Sequence, residues 1–200
     1  MKKNSVATDL AYVAVFTTLI IVLAFVAIPV GTAGVPIVVQ NSALILTGLI
    51  IGGRRGLYVG LLFLTIGLAL PVLAGGGTTL RALAGPTAGY IIGYVFSPAI
   101  AGLIAYRAPR KKIGMVAVFI VAAFAGLFTQ YVFGAIGLMV RSGLGVVEAI
   151  AAQLAFIPAA SIEMTVVIII ALGVHAAFPD LIRRQPKKSA PAQAQAMATS

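Results

Sequence analysis

Long uninterrupted apolar runs constrain the fold of this chain more than any other feature. Several exceed about 18 residues, the length that lets a helix cross the hydrocarbon core of a bilayer. Of the 200 residues, 61% are hydrophobic and only 9% are charged, and the mean hydropathy is +1.12. Soluble domains carry about 25% charged residues. The sequence therefore predicts an all-α integral membrane protein.

Breaks rich in glycine and proline divide residues 1–182 into a predicted bundle of six transmembrane helices. We expect a loop at residues 74–86, because its start is too flexible and polar for a lipid-facing helix. Residues 183–200 are expected to form a basic, disordered cytoplasmic tail, since they have no pattern that could bury apolar surface. The predicted spans are residues 6–28, 37–51, 57–73, 87–106, 113–140 and 157–178, with an interfacial helix at 144–156.

The positive charges indicate how such a bundle is oriented. Lys and Arg are retained on the cytoplasmic side during insertion. With six spans, only Arg81 and Arg141 of the 14 cations fall on the outer side. The N- and C-termini are thus predicted to be cytoplasmic, in a multi-pass protein of the cell membrane. The cations form short clusters between apolar runs and not one patch, which argues against binding to nucleic acid. The other 12 are Lys2, Lys3, Arg54, Arg55, Arg107, Arg110, Lys111, Lys112, Arg183, Arg184, Lys187 and Lys188.

The sequence contains few of the residues and motifs that enzymes use for catalysis. The chain has no cysteine and one histidine, His175, which is expected to be an interfacial side chain. It has neither a His-Glu-x-x-His pair nor a phosphate-binding loop ending in Gly-Lys-Ser or Gly-Lys-Thr. We therefore predict a non-enzyme without metal or cofactor, in which any use of ATP depends on partner subunits.

Two charged residues stand out against this background. Glu163 lies within the sixth predicted span, where a carboxylate costs about 2.5 to 3.5 kcal/mol on insertion scales, so a functional role is expected. The alternative is a structural partner or a position close enough to the interface to reach water. Arg81 lies in the glycine loop on the outer side. Arg141 has a simpler explanation, the favourable interaction of a cation with a helix C-terminus.

Three amide side chains are candidates for ligand binding. Gln40 and Asn41 open the second predicted helix on the outer side, and Gln130 lies within the fifth. Amides both donate and accept hydrogen bonds, which suits a ligand with urea or amide groups. For Gln130, hydrogen bonding between helices is an equally good explanation.

Small residues suggest two further sites. The run Gly75, Gly76 and Gly77 would let the backbone approach a ligand, with amide N–H groups facing an anion, although a plain flexible loop would have the same sequence. Ala7 and Ala11 form a small-xxx-small pair on the first helix, a spacing that lets another helix pack closely.

Three segments carry a family resemblance, namely residues 35–41, the string Gly-Pro-Thr-x-Gly-Tyr at residues 85–90, and residues 156–158. They resemble the BioY family, the substrate-binding subunits of energy-coupling factor (ECF) biotin transporters. The resemblance covers about residues 6–182. It implies a six-helix bundle that captures biotin from outside, with outer loops as a lid and Tyr90 in the ligand site.

The resemblance also implies partners. A separate transmembrane coupling subunit and two ATPase subunits would power uptake, although some members have been proposed to work without them. In such subunits an Ala-x-x-x-Ala face on the first helix contacts the coupling subunit, and Ala7 and Ala11 match that pattern. The alternatives are a subunit for a different small molecule, a stand-alone facilitator and a non-transport membrane scaffold.

One departure from the family pattern concerns the ligand itself. Family members typically carry Asp two residues and Lys five residues after the proline of the third segment, facing the ligand. This chain has Ala160 and Glu163 there. We expect Glu163 to accept the urea N–H groups of biotin and Arg81 to pair with its carboxylate. The rival interpretation is a ligand with a cationic group.

Overall fold

A computed structural model describes residues 6–25, 27–28, 37–109 and 111–182 of the chain. The predicted turn after the first helix and the predicted tail at residues 183–200 lie outside the described residues. Helices form most of the described part: α1 Val6–Val22, α2 Gln40–Ile51, α3 Gly53–Ala69, α4 Thr79–Ala84, α5 Ala88–Ala105, α6 Lys112–Ser142, α7 Val146–Leu154 and α8 Ile157–Ala177. Two short antiparallel strands, β1 Ala27–Ile28 and β2 Ile37–Val38, pair between α1 and α2.

The helices have the character of a membrane protein. Within the described residues, α5, α6 and α8 are long and apolar enough to cross a bilayer, and α1 and α2 are shorter apolar helices. Large apolar side chains also point outward from α8, where Ile162 is 69% exposed and Ile169 is 64% exposed. Such a surface is stable in lipid, because hydrocarbon does not penalise exposed apolar groups. The predicted helical membrane fold is confirmed at this level.

Several predicted boundaries were wrong. The first helix ends at Val22 instead of residue 28 and continues as a 3-10 turn, and α2 begins at Gln40 instead of residue 37. Residues 53–56, expected to lie in a break, form the first turn of α3. Only Gly52 interrupts the helices, with φ of 86°, a left-handed conformation that glycine adopts without strain. The expected loop at residues 74–86 contains helix α4.

Close backbone contacts hold α5 against α6. A Cβ atom added to Gly89 would lie 1.9 Å from the carbonyl oxygen of Phe133. On the facing helix, a Cβ atom added to Gly137 would lie 2.4 Å from the backbone nitrogen of Gly89. Small residues at such crossings let two helix backbones approach, the usual way in which helices pack in lipid. This contact fixes the start of α5, from which two tyrosine side chains enter the site described below.

His175 differs from its predicted interfacial position. Its side chain is 4% exposed and its Nε2 lies 2.8 Å from the carbonyl oxygen of Leu49. The ring meets Phe119 and Tyr106 edge-on, with centroid distances of 5.2 and 6.1 Å. His175 is therefore a core residue that joins α8 to α2, and the expectation of an interfacial side chain was wrong. A position near the end of an apolar run does not reveal whether a side chain lies on the buried face of its helix.

Replacing Gly89 by Ala tests the α5–α6 contact. The new methyl group would force the two backbones apart, and overpacking of this kind costs about 1–3 kcal/mol. We expect the thermal unfolding midpoint of the purified protein, followed by circular dichroism, to fall by several degrees. Gly173→Ala in α8 is the matched control, because a Cβ atom there meets nothing within 4 Å. Equal midpoints for the two variants would contradict this account of the packing.

Candidate ligand-binding site

A cavity of about 400 Å³ opens at one end of the bundle. It lies between the start of α2, the turn after α3, helix α4 and the start of α5, and its size suits a small organic ligand. Polar and aromatic side chains alternate with glycine backbone around it. Its lining consists of Gln40, Asn41, Leu73, Ala74, Gly75, Gly77, Arg81, Ala82, Gly85, Pro86, Thr87, Tyr90, Ile91 and Tyr94.

The Gln40 side chain ties together the elements below this cavity. Its Nε2 donates to the carbonyl oxygens of Ile20 at 2.9 Å and Val72 at 3.0 Å. Its Oε1 accepts from the backbone N–H of Ala74 at 3.0 Å. Since a primary amide has two hydrogens, both are used by the protein. Gln40 lines the cavity, as predicted, but it can offer a ligand at most the second lone pair of Oε1.

A tight turn gives the glycine run its shape. Gly75 and Gly76 have φ values of 72° and 74°, in the left-handed region that favours glycine. The N–H groups of Gly76 and Gly77 both donate to the carbonyl oxygen of Leu73, at 3.0 and 3.2 Å. The prediction that these amides face an anion was therefore wrong for Gly76 and Gly77. The glycines shape the wall of the cavity and leave at most the Gly75 amide for a ligand.

The string at residues 85–90 connects the turn region to α5. Gly85 ends α4, with its N–H donating to the Ala82 carbonyl oxygen at 3.2 Å, and the Thr87 hydroxyl donates to the same oxygen at 3.2 Å. Gly89 makes the close contact with α6. Tyr90 then enters the cavity. Gly85, Thr87 and Gly89 each make a local structural contact, and together these contacts fix the position of Tyr90.

Asn41 presents free hydrogen-bond donors to the cavity. Its Oδ1 accepts from the Tyr94 hydroxyl, which fixes the orientation of the amide. Within the described part of the chain, its Nδ2 hydrogens have no acceptor. Behind it, the Nε2 of Gln130 donates to the Asn41 carbonyl oxygen at 3.1 Å and to the Ser97 hydroxyl at 2.9 Å. Gln130 does not line the cavity. It joins α6 to α2 and α5, the interhelical role that its sequence position left open.

Tyr90 is held by helix α7 and the segment after it. Its hydroxyl donates to Oε1 of Gln153 at 2.5 Å, and its ring packs edge-on against Phe156 at a centroid distance of 6.4 Å. Gly134 of α6 provides the space for the ring, since a Cβ atom there would lie 2.4 Å from it. The Tyr90 side chain, which forms part of the cavity wall, is therefore contacted by three different segments of the protein.

Arg81 lies at the mouth of the cavity on α4. The Thr78 hydroxyl accepts from the Arg81 backbone N–H at 3.3 Å, which caps the helix, and Thr79 anchors the helix by donating to the Leu64 carbonyl oxygen at 2.9 Å. The Arg81 side chain is exposed and forms no hydrogen bond or ion pair with any residue that the structure describes. A cation in this position is free to pair with an anionic ligand group.

Glu163 lies one layer behind the cavity wall. It is half-buried on α8 and lies near the Ser42 side chain, next in sequence to Asn41. It is also close enough to Tyr94 to interact with it electrostatically, and Tyr94 lines the cavity. Ala160, the other departure from the family pattern, is 7% exposed. Glu163 therefore faces the interior of the bundle, although it is not itself part of the lining.

The structure brings most of the predicted site residues together. Gln40, Asn41, Gly75, Gly77, Arg81 and Tyr90 line the cavity, whereas Gly76, Gln130 and Glu163 do not. Sequence reasoning missed Tyr94, although it follows Tyr90 by four residues and so occupies the same helix face. It also missed Gln153, which lies on a short helix remote in sequence. Ala7 and Ala11 are both exposed on α1, so their role in contacting a coupling subunit stays a prediction.

A helical membrane protein with an end-opening cavity of this kind is a small-molecule binding protein by fold and site. The BioY family model matches residues 1–180, and the chain belongs to the BioY family. It is 31% identical over 182 residues to the biotin transporter BioY of Rhizobium etli, covering 88% of this chain and 97% of that protein.

Other known proteins show the same likeness. Identity to the biotin transporter BioY of Lactococcus lactis subsp. cremoris is 32% over 190 residues, covering 92% of this chain and all (100%) of that protein. The fold is also similar to the crystal structure of the S-component for biotin from an ECF-type ABC transporter. The TM-score is 0.74 with 29% sequence identity, over 86% of this chain and 92% of that one.

Replacing Gln40 by Leu tests the three hydrogen bonds that its side chain makes to backbone groups beneath the cavity. The change keeps the approximate side-chain volume but leaves two carbonyl oxygens and one N–H without their partner, at about 1–3 kcal/mol for each group that stays buried. We expect a clearly lower thermal unfolding midpoint by circular dichroism. Thr165→Val is the control, because it removes an exposed hydrogen bond within a single helix. A midpoint equal to that of the control would show that Gln40 does not hold these segments.

Proposed function

We propose that the chain captures biotin from outside the cell, as the substrate-binding S-component of an ECF-type vitamin transporter. The observation that carries the proposal is the end-opening cavity, which combines an aromatic wall with the Arg81 guanidinium and the Asn41 Nδ2 hydrogens, none of them paired with a residue that the structure describes. Biotin has matching parts, namely a carboxylate, a ureido group and an apolar ring system. Membership of the BioY family supports the same ligand.

The recognition chemistry follows from the positions of these groups. Arg81 at the mouth pairs with the biotin carboxylate through charge-assisted hydrogen bonds, which are stronger than neutral ones. The free Nδ2 hydrogens of Asn41 donate to the ureido oxygen deeper in the cavity. Tyr90, Ile91 and Tyr94 cover the apolar rings. Arg81 and Asn41 thus bind the two ends of one elongated ligand.

Glu163 contributes the acceptor for the ureido N–H groups in this proposal. A carboxylate has about four lone-pair sites. Ser42 lies near this carboxylate, but its one hydroxyl hydrogen goes to the Val39 carbonyl oxygen at 2.9 Å. A half-buried carboxylate with so few donors favours a ligand that supplies N–H groups. The ligand would draw the carboxylate toward the cavity past Asn41.

The transport context extends the proposal. Helices α1, α2, α3, α5, α6 and α8 serve as six transmembrane spans, with both termini in the cytoplasm and the biotin cavity facing outward. The protein resides in the plasma membrane. A transmembrane coupling subunit docks on the exposed Ala7 and Ala11 face of α1, and two ATPase subunits supply the energy. The chain itself catalyses no reaction and needs no cofactor.

Replacing Arg81 by Gln tests the pairing with the carboxylate. We expect calorimetric titration of the detergent-purified variant to show biotin affinity reduced by about 10- to 100-fold, since a hydrogen bond to a charged group contributes about 1.5–3 kcal/mol. Biotin amide, which lacks the carboxylate charge, should bind the wild type and the variant alike. Arg141→Gln removes the other outer cation, which does not line the cavity, and should leave the affinity unchanged. A similar loss in both variants would rule out a specific pairing.

Replacing Glu163 by Ala tests the acceptor for the ureido group. High-affinity biotin binding should be lost, because the ureido N–H groups would then be desolvated without a strong acceptor. The control is Glu148→Ala, since Glu148 is exposed and accepts from the Gly145 N–H at the start of α7. Unchanged affinity in the Glu163 variant would remove this residue from the site. Tighter binding of a cationic competitor than of biotin by the wild type would favour a different ligand.

A further inference from the structure

A second cavity opens at the end of the bundle opposite to the candidate ligand site. It has a volume of about 520 Å³ and lies where α2 passes into α3 and where α5 ends. Its charged lining consists of Asp9, Arg54, Arg55 and Arg107. Apolar side chains complete the wall, and one of them, Leu103, is 54% exposed. The cavity therefore joins exposed basic side chains to an apolar surface of the kind that faces lipid.

Among the described residues, one of the three arginines forms an ion pair. Arg55 donates from Nε and Nη2 to Oδ1 of Asp9, at 2.8 and 2.5 Å, and its guanidinium lies over the Tyr12 ring. Arg54 contacts Tyr58, which carries no charge at neutral pH. The Arg107 side chain has no polar partner in the part of the chain that the structure describes. With three arginines and one aspartate, the lining of the cavity carries a net charge of +2.

The position of these charges makes an anion more favourable still. Arg54 and Arg55 lie in the first turn of α3, where the backbone carries partial positive charge and where acidic side chains are normally stabilising. Cations there repel the helix end and each other. A bound anion would offset both repulsions, and the planar guanidinium group matches the oxygens of a phosphate in a bidentate arrangement.

We propose that this cavity binds the phosphodiester headgroup of an anionic phospholipid. With the topology proposed above, the cavity lies at the cytoplasmic leaflet, which carries the anionic lipids of a membrane. Arg54 and Arg107 hold the phosphate oxygens, and the acyl chains pass along the exposed Leu103. A phospholipid fits this site better than a free phosphate ion does, because the wall of the cavity continues into the apolar surface of the bundle.

Native mass spectrometry of the full-length protein in detergent provides the test. The probes are palmitoyl-oleoyl phosphatidylglycerol, the phosphatidylcholine with the same chains, and inorganic phosphate. We expect phosphatidylglycerol to be retained in preference to phosphatidylcholine. The double variant Arg54→Gln with Arg107→Gln should reduce this preference about 25-fold, since each basic residue near a membrane surface contributes about a fivefold effect. The double variant Lys111→Gln with Lys112→Gln removes the same charge outside the cavity and should retain the preference.

Biotin binding shows whether the arginine variant is folded, since neither arginine lines the outer cavity. Equal retention of the two lipids by the wild type would overturn the proposal. So would an equal loss of preference in the lysine variant, which would indicate diffuse charge attraction. Displacement of phosphatidylglycerol by millimolar inorganic phosphate would assign the site to a soluble anion and also contradict the proposal.

Discussion

The side-chain amide of Gln40 makes the hydrogen bonds on which the cavity end of the bundle depends. It binds α1 through Ile20, the segment after α3 through Val72, and the glycine turn through Ala74, while it is itself 1% exposed. No water is available in a bilayer to replace such bonds, so each lost partner is costly. Because one side chain satisfies three backbone groups, the non-helical backbone around the cavity can exist at membrane depth. The ligand site is built on that backbone.

Around Gln40, close glycine contacts and hydrogen bonds from side-chain amides hold the helices that form the walls of the cavity. The contact of Gly89 with α6 sets the start of α5, and Gln130 ties Asn41 to Ser97. At the cavity, the Arg81 guanidinium and the Asn41 amide hydrogens have no partner among the residues that the structure describes. A rigid wall with a small number of free polar groups is the arrangement that gives a binding site its specificity. The proposed capture of biotin uses these groups where they stand and moves only the Glu163 side chain toward the ligand.

The sequence alone predicted the helical membrane character, and most of the site residues that it singled out line the cavity, because apolar run length and isolated charges are strong signals in lipid. It could not predict that the Gln40 side chain would be occupied by hydrogen bonds to backbone groups, since these partners lie 20 to 34 residues away in the chain. Helix α4 was missed because a six-residue helix has no detectable periodicity and is stabilised by Thr79 bonding to α3. Glu163 was correctly singled out as unusual, yet its place behind the wall is set by helix rotation, which the nearly uniform hydrophobicity of α8 conceals.

The central claim is that the outer cavity is a binding site for biotin. Isothermal titration calorimetry of the wild-type protein, purified in detergent, tests it most directly. The account predicts saturable binding with one biotin per chain and a negative heat-capacity change, as expected when the apolar rings are buried against the tyrosines. A titration without saturable heat at several temperatures, on protein that circular dichroism shows to be folded, would contradict the account.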